Sequence, residues 1–235
     1  MIGCIIQARM GSTRLPGKVL KTVRGNTPSL LHTIEQLRFS KNIDKIVVAT
    51  TDLPEDDIIE ELVKTQKIEC FRGNAENVLD RYYQCAKLFG FNGIVRITAD
   101  CPLIDPFITD KVIQVFKDNE LDYVPNVFPR TFPDGLETEV VAFSALEIAW
   151  KNATRSEERE HVTPYIIVHP EKFRIHTINL LKDFSNLRWS LDYQNDLKLI
   201  REIITKIKNR PILMNDIISL LENEPELKEI NRVNH

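Results

Sequence analysis

Three basic side chains stand close together in a short loop near the start of the chain. Arg9, Arg14 and Lys18 fall within the segment QARMGSTRLPGK, residues 7–18, together with two glycines, one proline and the hydroxyl of Ser12. Guanidinium and ammonium groups donate hydrogen bonds to phosphate oxygens, and glycine lets the backbone approach a ligand closely. Cations this close repel one another unless an anion compensates them, as a polyphosphate would. The segment therefore predicts a phosphate-binding loop.

The loop differs from two common phosphate-binding motifs. A P-loop has four residues between its glycines and then Lys and Ser or Thr, whereas five residues separate Gly11 from Gly17, and Val19 follows Lys18. The sequence also lacks a G-x-G-x-x-G fingerprint here. A solvated basic turn is the alternative. The position of the loop directly after an apolar run at 2–8 favours phosphate binding, because ligands bind where the strands of doubly wound sheets end.

Alternating apolar and amphipathic segments predict the fold that positions this loop. Strands are predicted at 2–8, 45–51, 69–71, 93–99, 136–143 and 188–193, and helices at 29–39, 55–65, 75–89, 106–116, 144–153 and 195–208. The short connections predict a Rossmann-like, mainly parallel sheet flanked by helices. We expect one α/β domain over residues 1–235, with a small insertion that supplies the acceptor region at about 122–190.

Composition excludes several classes of protein. The net charge of -3, with 43% hydrophobic and 28% charged residues, is ordinary for a globular protein and argues against general binding to nucleic acid or a membrane surface. No apolar run approaches the ~20 residues that span a bilayer. The cysteines fit no zinc spacing and predict reduced, mostly buried thiols: Cys4, Cys70, Cys85 and Cys101. These features indicate a cytoplasmic enzyme or binding domain.

Several segments, spread in order over nearly the whole chain, resemble one family. They are QARMGSTRLPGKVL (7–20), VRITADCPLIDP (95–106), GLETEV (135–140), EREHVTPYIIVHPEKF (158–173) and LRWSLDYQNDLKLI (187–200). They resemble the sugar-nucleotide cytidylyltransferases, relatives of the enzymes that activate 3-deoxy-manno-octulosonate and sialic acids as CMP conjugates. The similar branch is that of spore-coat polysaccharide biosynthesis protein F. The resemblance implies a nucleotidyltransferase fold of the GT-A-like type, use of CTP and a homodimer.

A triphosphate donor needs a divalent cation, and Mg²⁺ prefers a few carboxylates plus phosphate oxygens. Asp100 ends one predicted strand and Asp192 ends another. The resemblance implies that both hold Mg²⁺. By their positions alone, Asp100 could form a turn and Asp192 could cap the following helix, for which Asp196 is another candidate. We expect Asp105 to cap the helix that starts at Pro106.

The predicted nucleotide site combines the loop with later strand ends and a glycine turn. Its candidate residues are Ala8, Arg9, Gly11, Ser12, Arg14, Lys18, Thr50, Arg72, Asn77, Arg81 and Thr98. Catalytic roles are assigned to Arg9, Arg14, Lys18 and Asp100. Asparagine can read a base edge through its donors and acceptors, although Asn74 nearby could simply cap a helix. The choice of cytosine comes from the resemblance and not from these residues.

Candidate acceptor-binding residues lie in the second half of the chain. Glu137 and Glu139 alternate along a predicted strand and would share one face, which could also be a solvent face. Glu160 and His161 share one helical turn, where His161 could be a general base or a hydrogen-bonded structural residue. Arg188 precedes the predicted metal ligand Asp192 and could contact the acceptor.

The resemblance implies that an acceptor oxygen attacks the α-phosphorus of CTP and releases pyrophosphate. The acceptor would be a small molecule, through a sugar hydroxyl or a phosphate, in surface polysaccharide or capsule synthesis. The alternatives are a nucleotidyltransferase using UTP, GTP or ATP, and a non-catalytic nucleotide-binding protein of glycan assembly. A glycosyltransferase would need a D-x-D motif, which TTD at 50–52 and TAD at 98–100 do not supply. The apolar stripe at 212–232 either seals the core or pairs with a second subunit.

Overall fold

The computed structural model describes residues 1–232, so residues 233–235 of the predicted domain lie outside it. Its strands are β1 (Ile2–Gln7), β2 (Thr22–Arg24), β3 (Thr27–Pro28), β4 (Lys45–Thr51), β5 (Glu69–Gly73), β6 (Gly93–Thr98), β7 (Tyr123–Pro125) and β8 (Glu139–Ala142). The main sheet has the order β5-β4-β1-β6-β8-β7. β5, β4, β1 and β6 are parallel, whereas β8 is antiparallel to both β6 and β7. The predicted mainly parallel sheet is confirmed.

Helices cover both faces of this sheet. They are α1 (Ser29–Leu37), α2 (Asp57–Thr65), α3 (Val78–Phe89), α4 (Pro106–Asp118), α5 (Phe143–Asn152), α6 (Ser156–His161), α7 (Pro164–Val168), α8 (Gln194–Lys206) and α9 (Met214–Asn223). Because side chains alternate along a strand, Cys4 and Ile6 of β1 join the apolar layer containing α1, α4 and α8. Ile5 joins the opposite layer, with α3 and α5. The predicted α/β class is confirmed.

The strand order reverses at β1, and this reversal fixes where a ligand can bind. The chain runs from β1 to β4 and β5 on one side and then crosses to β6 on the other. The connections that leave the carboxyl ends of β1 and β6 therefore diverge and open a crevice between them. The basic loop begins in this crevice, since it follows Gln7 directly.

The predicted strand at 188–193 is wrong. Only Arg188 in this segment forms a strand-like bridge, to Asp134. Its backbone bonds go to loops, from Trp189 N to Asp134 O at 2.8 Å and from Leu191 N to Asp100 O at 2.7 Å. Trp189 and Leu191 are fully buried, which produced the strand-like alternation. The edge of β6 beside this segment is occupied by β8, so the segment does not pair with β6.

The carboxyl-terminal apolar stripe packs into the core of its own chain. Met214, Ile217 and Leu221 of α9 are buried against the layer that contains α8, together with Leu227 beyond the helix. Of the two predicted roles for this stripe, the structure therefore shows core sealing. Within residues 1–232, no helix combines the length and the apolar character needed to cross a membrane.

Asp105 caps α4 as predicted, and it also anchors the end of the chain. Its Oδ1 accepts from the backbone N–H of Phe107 and Ile108 at 2.8 and 3.2 Å, and its Oδ2 accepts from Met214 N at 2.8 Å. Asp105→Ala removes the cap and leaves the buried Met214 N–H unpaired. We expect a loss of about 2–4 kcal/mol in the free energy of unfolding, measured by urea denaturation. Asp118→Ala, on the exposed end of α4, is the control and should cost less than about 0.5 kcal/mol.

Candidate active site

The basic loop is held at both ends, which fixes its cationic side chains over the crevice. Leu15 and Val19 are buried in the core. The N–H of Met10 donates to Asp56 Oδ1 at 2.7 Å. Gly17 adopts a φ of +65°, a left-handed conformation that glycine takes without strain, and starts the short 3-10 turn that carries Lys18. The apolar residues thus point inward while the polar ones remain at the crevice.

Asp56 is a functional residue that the sequence did not reveal. Its carboxylate is fully buried and accepts from Met10 N and from Thr51 N, at 2.7 and 3.3 Å, and from the Thr51 hydroxyl. It therefore ties the loop to the end of β4. In the sequence it was only one acid in the first turn of a predicted helix, because burial and partners 46 residues away leave no local signal.

The loop, the ends of β1 and β6, α3 and α6 enclose a cleft of about 360 Å³. Predicted site residues that line it are Ala8, Arg9, Gly11, Ser12, Arg14, Lys18, Arg81, Thr98, Asp100, Glu160 and His161. The cleft thus joins residues from distant parts of the sequence. Glu160 and His161 are exposed at it, which places the two predicted acceptor residues beside the predicted phosphate loop.

Lys18 joins the two carboxylates that were assigned to a metal ion. Its Nζ donates to Asp100 Oδ2 at 2.7 Å and to Asp192 Oδ1 at 2.9 Å. Arg14 Nη2 also donates to Asp192 Oδ1, at 2.8 Å, and the Arg14 guanidinium lies over the ring of Tyr193. Asp100 and Asp192 are 92 positions apart in the sequence, yet they are brought to one ammonium group.

The opposite charges in this cluster stabilise the ionised forms of Lys18 and Asp192. Burial acts to lower the pKa of Lys18, but the carboxylates of Asp100 and Asp192 outweigh it, so the pKa is raised. Burial acts to raise the pKa of Asp192, but hydrogen bonds from Arg188 and Lys18 outweigh it, so that pKa is lowered. Lys18 is thus an ammonium and Asp192 a carboxylate at neutral pH, as phosphate and metal binding require.

Arg188 holds Asp192 from the side opposite to Lys18. Its Nη2 donates to Asp192 Oδ2 at 2.7 Å and to Asp196 Oδ2 at 3.3 Å, while Nη1 donates to Asp134 Oδ2 at 2.6 Å. The guanidinium thus bonds to three carboxylates and orients Asp192, while its buried Nε has no hydrogen-bond partner among the described residues, and its contact with the acceptor stays a prediction. Asp196 also accepts from the N–H of Asp192 and Tyr193, at 3.0 and 2.8 Å, and so caps α8 in place of Asp192.

Two buried polar groups in the cleft have atoms without a hydrogen-bond partner among the described residues. Arg81 is 2% exposed and donates from Nη1 to Asn74 O at 3.0 Å, while its Nε is unpartnered. Gln7 Oε1 is likewise unpartnered, at the carboxyl end of β1. Buried polar atoms usually have partners, so these two suit a polar ligand. Gln7 was not among the predicted site residues, although a polar residue that ends an apolar strand was a signal.

Three predicted nucleotide-binding residues do not line the cleft. The side chain of Thr50 is buried within β4. Arg72 forms ion pairs with Asp57 and Glu60 at 2.8 and 2.9 Å, at the start of α2. Asn77 Oδ1 accepts from the backbone N–H of residue 80 at 3.0 Å and caps α3, which is why this helix begins at 78 and not at the predicted 75. Arg72 and Asn77 thus have structural contacts, whereas the buried Thr50 hydroxyl has no hydrogen-bond partner among the described residues.

The two acidic residues predicted to share an acceptor pocket do not do so. Glu139 is buried and forms an ion pair with Arg96 on the neighbouring strand β6. It also accepts from the Tyr123 hydroxyl and, at 2.8 Å, from the Thr163 hydroxyl. Glu139 therefore has a structural role in the sheet, and its role as an acceptor ligand stays a prediction that these contacts do not support.

Glu137 lies before β8 begins, so the strand alternation does not extend to it. Its carboxylate pairs with Arg130 and accepts from Gly135 N at 2.9 Å. Burial raises the pKa of Glu137. These contacts already account for its oxygens, so the structure gives it a role in holding the loop before β8, in place of the predicted acceptor contact.

The cysteines are free thiols, as predicted. Burial raises the pKa of Cys70 to about 11 and that of Cys85 to about 12. Cys101 lies beside Asp100, with Sγ 3.7 Å from Oδ1, and burial raises its pKa well above the ordinary value. Because the thiolate is the nucleophilic form, Cys101 is inert as a nucleophile at neutral pH.

Almost the whole chain matches one protein family. The family model described as Cytidylyltransferase covers residues 3–230. The chain belongs to the cytidylyltransferase family. Its members are nucleotidyltransferases, so the enzyme class implied by the resemblance of the opening loop and later segments is confirmed.

Individual members of this family agree with that assignment. The spore coat polysaccharide biosynthesis protein SpsF of Bacillus subtilis is 36% identical over 229 residues, spanning 94% of both chains. The structure of a cytidylyltransferase from Leptospira borgpetersenii serovar Hardjo-bovis matches with a TM-score of 0.92 at 35% identity, covering 97% of this chain and 96% of that one. A CMP:2-keto-3-deoxy-manno-octonic acid synthetase complexed with CTP shares the fold, with a TM-score of 0.69 at 17% identity over 87% of this chain and 98% of that one. The predicted branch and the nucleotidyltransferase fold are confirmed.

Proposed function

We propose that this cytidylyltransferase transfers CMP from CTP to an oxygen of a small acceptor and releases pyrophosphate. One observation carries the proposal: Lys18 of the basic loop is bonded to both Asp100 and Asp192 at the edge of one cleft. This arrangement combines cations for a polyphosphate with a pair of carboxylates for a metal ion, which are the parts that phosphoryl chemistry requires. The names of the relatives support cytosine as the base.

In the proposed reaction, an acceptor oxygen forms a bond to the α-phosphorus of CTP. The bond from that phosphorus to the oxygen bridging to the β-phosphate breaks, and its electron pair leaves with pyrophosphate. Arg9, Arg14 and Lys18 hold the β- and γ-phosphates and stabilise the growing charge of this leaving group. When the acceptor is a hydroxyl, its proton passes to His161 or to solvent, since His161 is exposed at the cleft.

Three polar residues that line the cleft suit the nucleoside. They are Gln7, Arg81 and Thr98, two of which have unpartnered buried atoms. An amide and a guanidinium can pair with the oxygen and nitrogen atoms of a pyrimidine edge or with the ribose hydroxyls. We therefore assign these three residues to the base and ribose and the cations of the basic loop to the phosphates.

The donor set fits magnesium. Two carboxylates, Asp100 and Asp192, converge on one position, and residues 1–232 hold no cluster of three or more histidine, cysteine or acidic residues arranged for a metal. Magnesium commonly takes one or two carboxylates and completes its shell with phosphate oxygens and water. Bound to these acids and the triphosphate, Mg²⁺ would neutralise phosphate charge in the transition state.

The acceptor side is formed by Glu160 and His161, because Glu137, Glu139 and Arg188 have partners of their own. We propose a sugar, a sugar acid or a related molecule in surface polysaccharide synthesis, which the name of the Bacillus relative supports. Cytoplasmic location and a homodimer stay predictions.

Calorimetry of nucleotide binding tests the proposal. We expect CTP to bind at least ten-fold more tightly than UTP, GTP or ATP, and Mg²⁺ to strengthen its binding, since the cation screens triphosphate charge beside two carboxylates. Tighter binding of another triphosphate would retain the reaction class and change the donor. If no triphosphate bound, the phosphate-loop interpretation would be wrong. Once CTP binding is established, acceptors are screened by pyrophosphate release.

A further inference from the structure

Lys18 is assigned to two ligands that compete for it. As a phosphate-binding residue it must donate to the triphosphate, yet in the structure its ammonium donates to Asp100 and Asp192 at 2.7 and 2.9 Å. The side chain is only 14% exposed, so these bonds are poorly solvated and strong. A divalent cation on the same carboxylates would stand next to a positive charge and be repelled by it.

Arg188 and Arg14 are less suited than Lys18 to move from the carboxylates to a triphosphate. Arg188 is fixed by Asp134 and Asp196 in addition to Asp192, and it uses Oδ2 of Asp192. Arg14 bonds to Asp192 but not to Asp100, and its side chain is 53% exposed. Only Lys18 among these bridges both acids. A lysine also combines a compact charge with a flexible stem, which lets it change partners more easily than arginine.

We propose that Lys18 acts as an exchangeable internal counter-ion that couples the binding of metal to the binding of nucleotide. In the free protein Lys18 neutralises Asp100 and Asp192 and keeps divalent cations off them. The triphosphate draws the ammonium to its own oxygens, which releases both carboxylates for the metal. This inference rests on the proposed function. It adds an order of binding, because the carboxylates bind the metal tightly only after the nucleotide has bound.

The coupling predicts that one substitution strengthens the binding of metal and weakens the binding of nucleotide. Lys18→Gln removes the competing charge but keeps a polar side chain of similar length. We expect its affinity for Mn²⁺ alone, without nucleotide, to rise about ten-fold or more over wild type, within the range of typical coupling between ligands. Its affinity for CTP should fall, because a phosphate donor is lost. Mn²⁺ binding is measured by electron paramagnetic resonance of the free ion, and CTP binding by calorimetry.

Three further variants separate charge from other effects. Lys18→Arg keeps the positive charge and should retain the weak Mn²⁺ binding of wild type. Lys21→Gln, an exposed lysine outside the cleft, should change neither affinity. Adding Asp192→Asn to Lys18→Gln should abolish the gain. Thermal denaturation confirms that each variant is folded, and Lys18→Met, which keeps the apolar stem, replaces the glutamine variant if that one does not fold.

The outcomes separate this inference from the proposed function. If wild type binds CTP and Lys18→Gln shows no gain in Mn²⁺ affinity, the coupling is wrong and the proposed function stands. An equal gain in Lys18→Arg would also overturn it, because charge would not be the cause. A wild-type protein that binds no triphosphate overturns both. A gain confined to the variants that lack the charge, with weaker CTP binding, supports the inference.

Discussion

Asp100→Asn should lower kcat by about 10²- to 10⁴-fold, while the Kd for CTP changes by less than about five-fold. The substitution keeps the size of the side chain and an oxygen that can accept from Lys18. It removes the negative charge that the proposed Mg²⁺ would need when charge moves onto the leaving group. In the proposed function, binding of the nucleotide depends mainly on the basic loop, so most of the lost stabilisation should appear only in the transition state.

Two measurements check this expectation. Steady-state pyrophosphate release, with an acceptor found by screening, gives kcat, and calorimetry with and without Mg²⁺ gives the Kd for CTP. Asp118→Asn, an exposed acid at the end of α4, is the matched control and should leave both values unchanged. If turnover and CTP binding were lost to the same extent, Asp100 would be part of the nucleotide-binding surface instead of a metal ligand.

Glu139→Ala should lower the free energy of unfolding by about 3–5 kcal/mol, because it leaves a buried charge without its partner. Arg96 faces Glu139 across β6 and β8, with side chains 13% and 5% exposed. The hydroxyls of Tyr123 and Thr163 would lose their acceptor as well. Because Glu139 does not line the cleft, the Kd for CTP of the folded variant should match that of wild type.

Urea denaturation gives the stability, and calorimetry below the transition gives the Kd. Glu69→Ala is a matched control, since Glu69 pairs with Lys45 at 3.5 Å and is 58% exposed. Surface pairs of this kind contribute about 1 kcal/mol or less. A Glu139→Ala variant that kept full stability but lost turnover with the acceptor would restore the acceptor-binding role that the structure argues against.

Local features of the sequence were enough to predict the main elements and the phosphate loop. Strands and helices follow from the spacing of apolar residues, which is set by neighbours a few positions away. The loop was evident because its cations and glycines lie within 12 consecutive residues. Asp105 was predicted correctly for the same reason, since a helix cap bonds to N–H groups two and three positions later.

Predicted site residues that form other contacts in the structure bond to partners distant in the sequence. Arg188 was predicted to contact the acceptor, but its ion-pair partner Asp134 is 54 positions away. The pairing of Glu139 with Arg96 spans 43 positions and depends on the register of two strands. Asp56 reaches Met10 across 46 positions and gave no local signal.

The sequence by itself thus determined the fold class and the place of the basic loop after β1, and its resemblance to the cytidylyltransferases indicated the two acids near that loop. Only the tertiary structure decided which charged residues face the cleft and which neutralise one another. The physical reason is that a buried charge must find a partner, and the partner is chosen by proximity in space. In this protein, ion pairs already neutralise Glu139, Glu137, Arg188 and Arg72, while Lys18 is shared between Asp100 and Asp192.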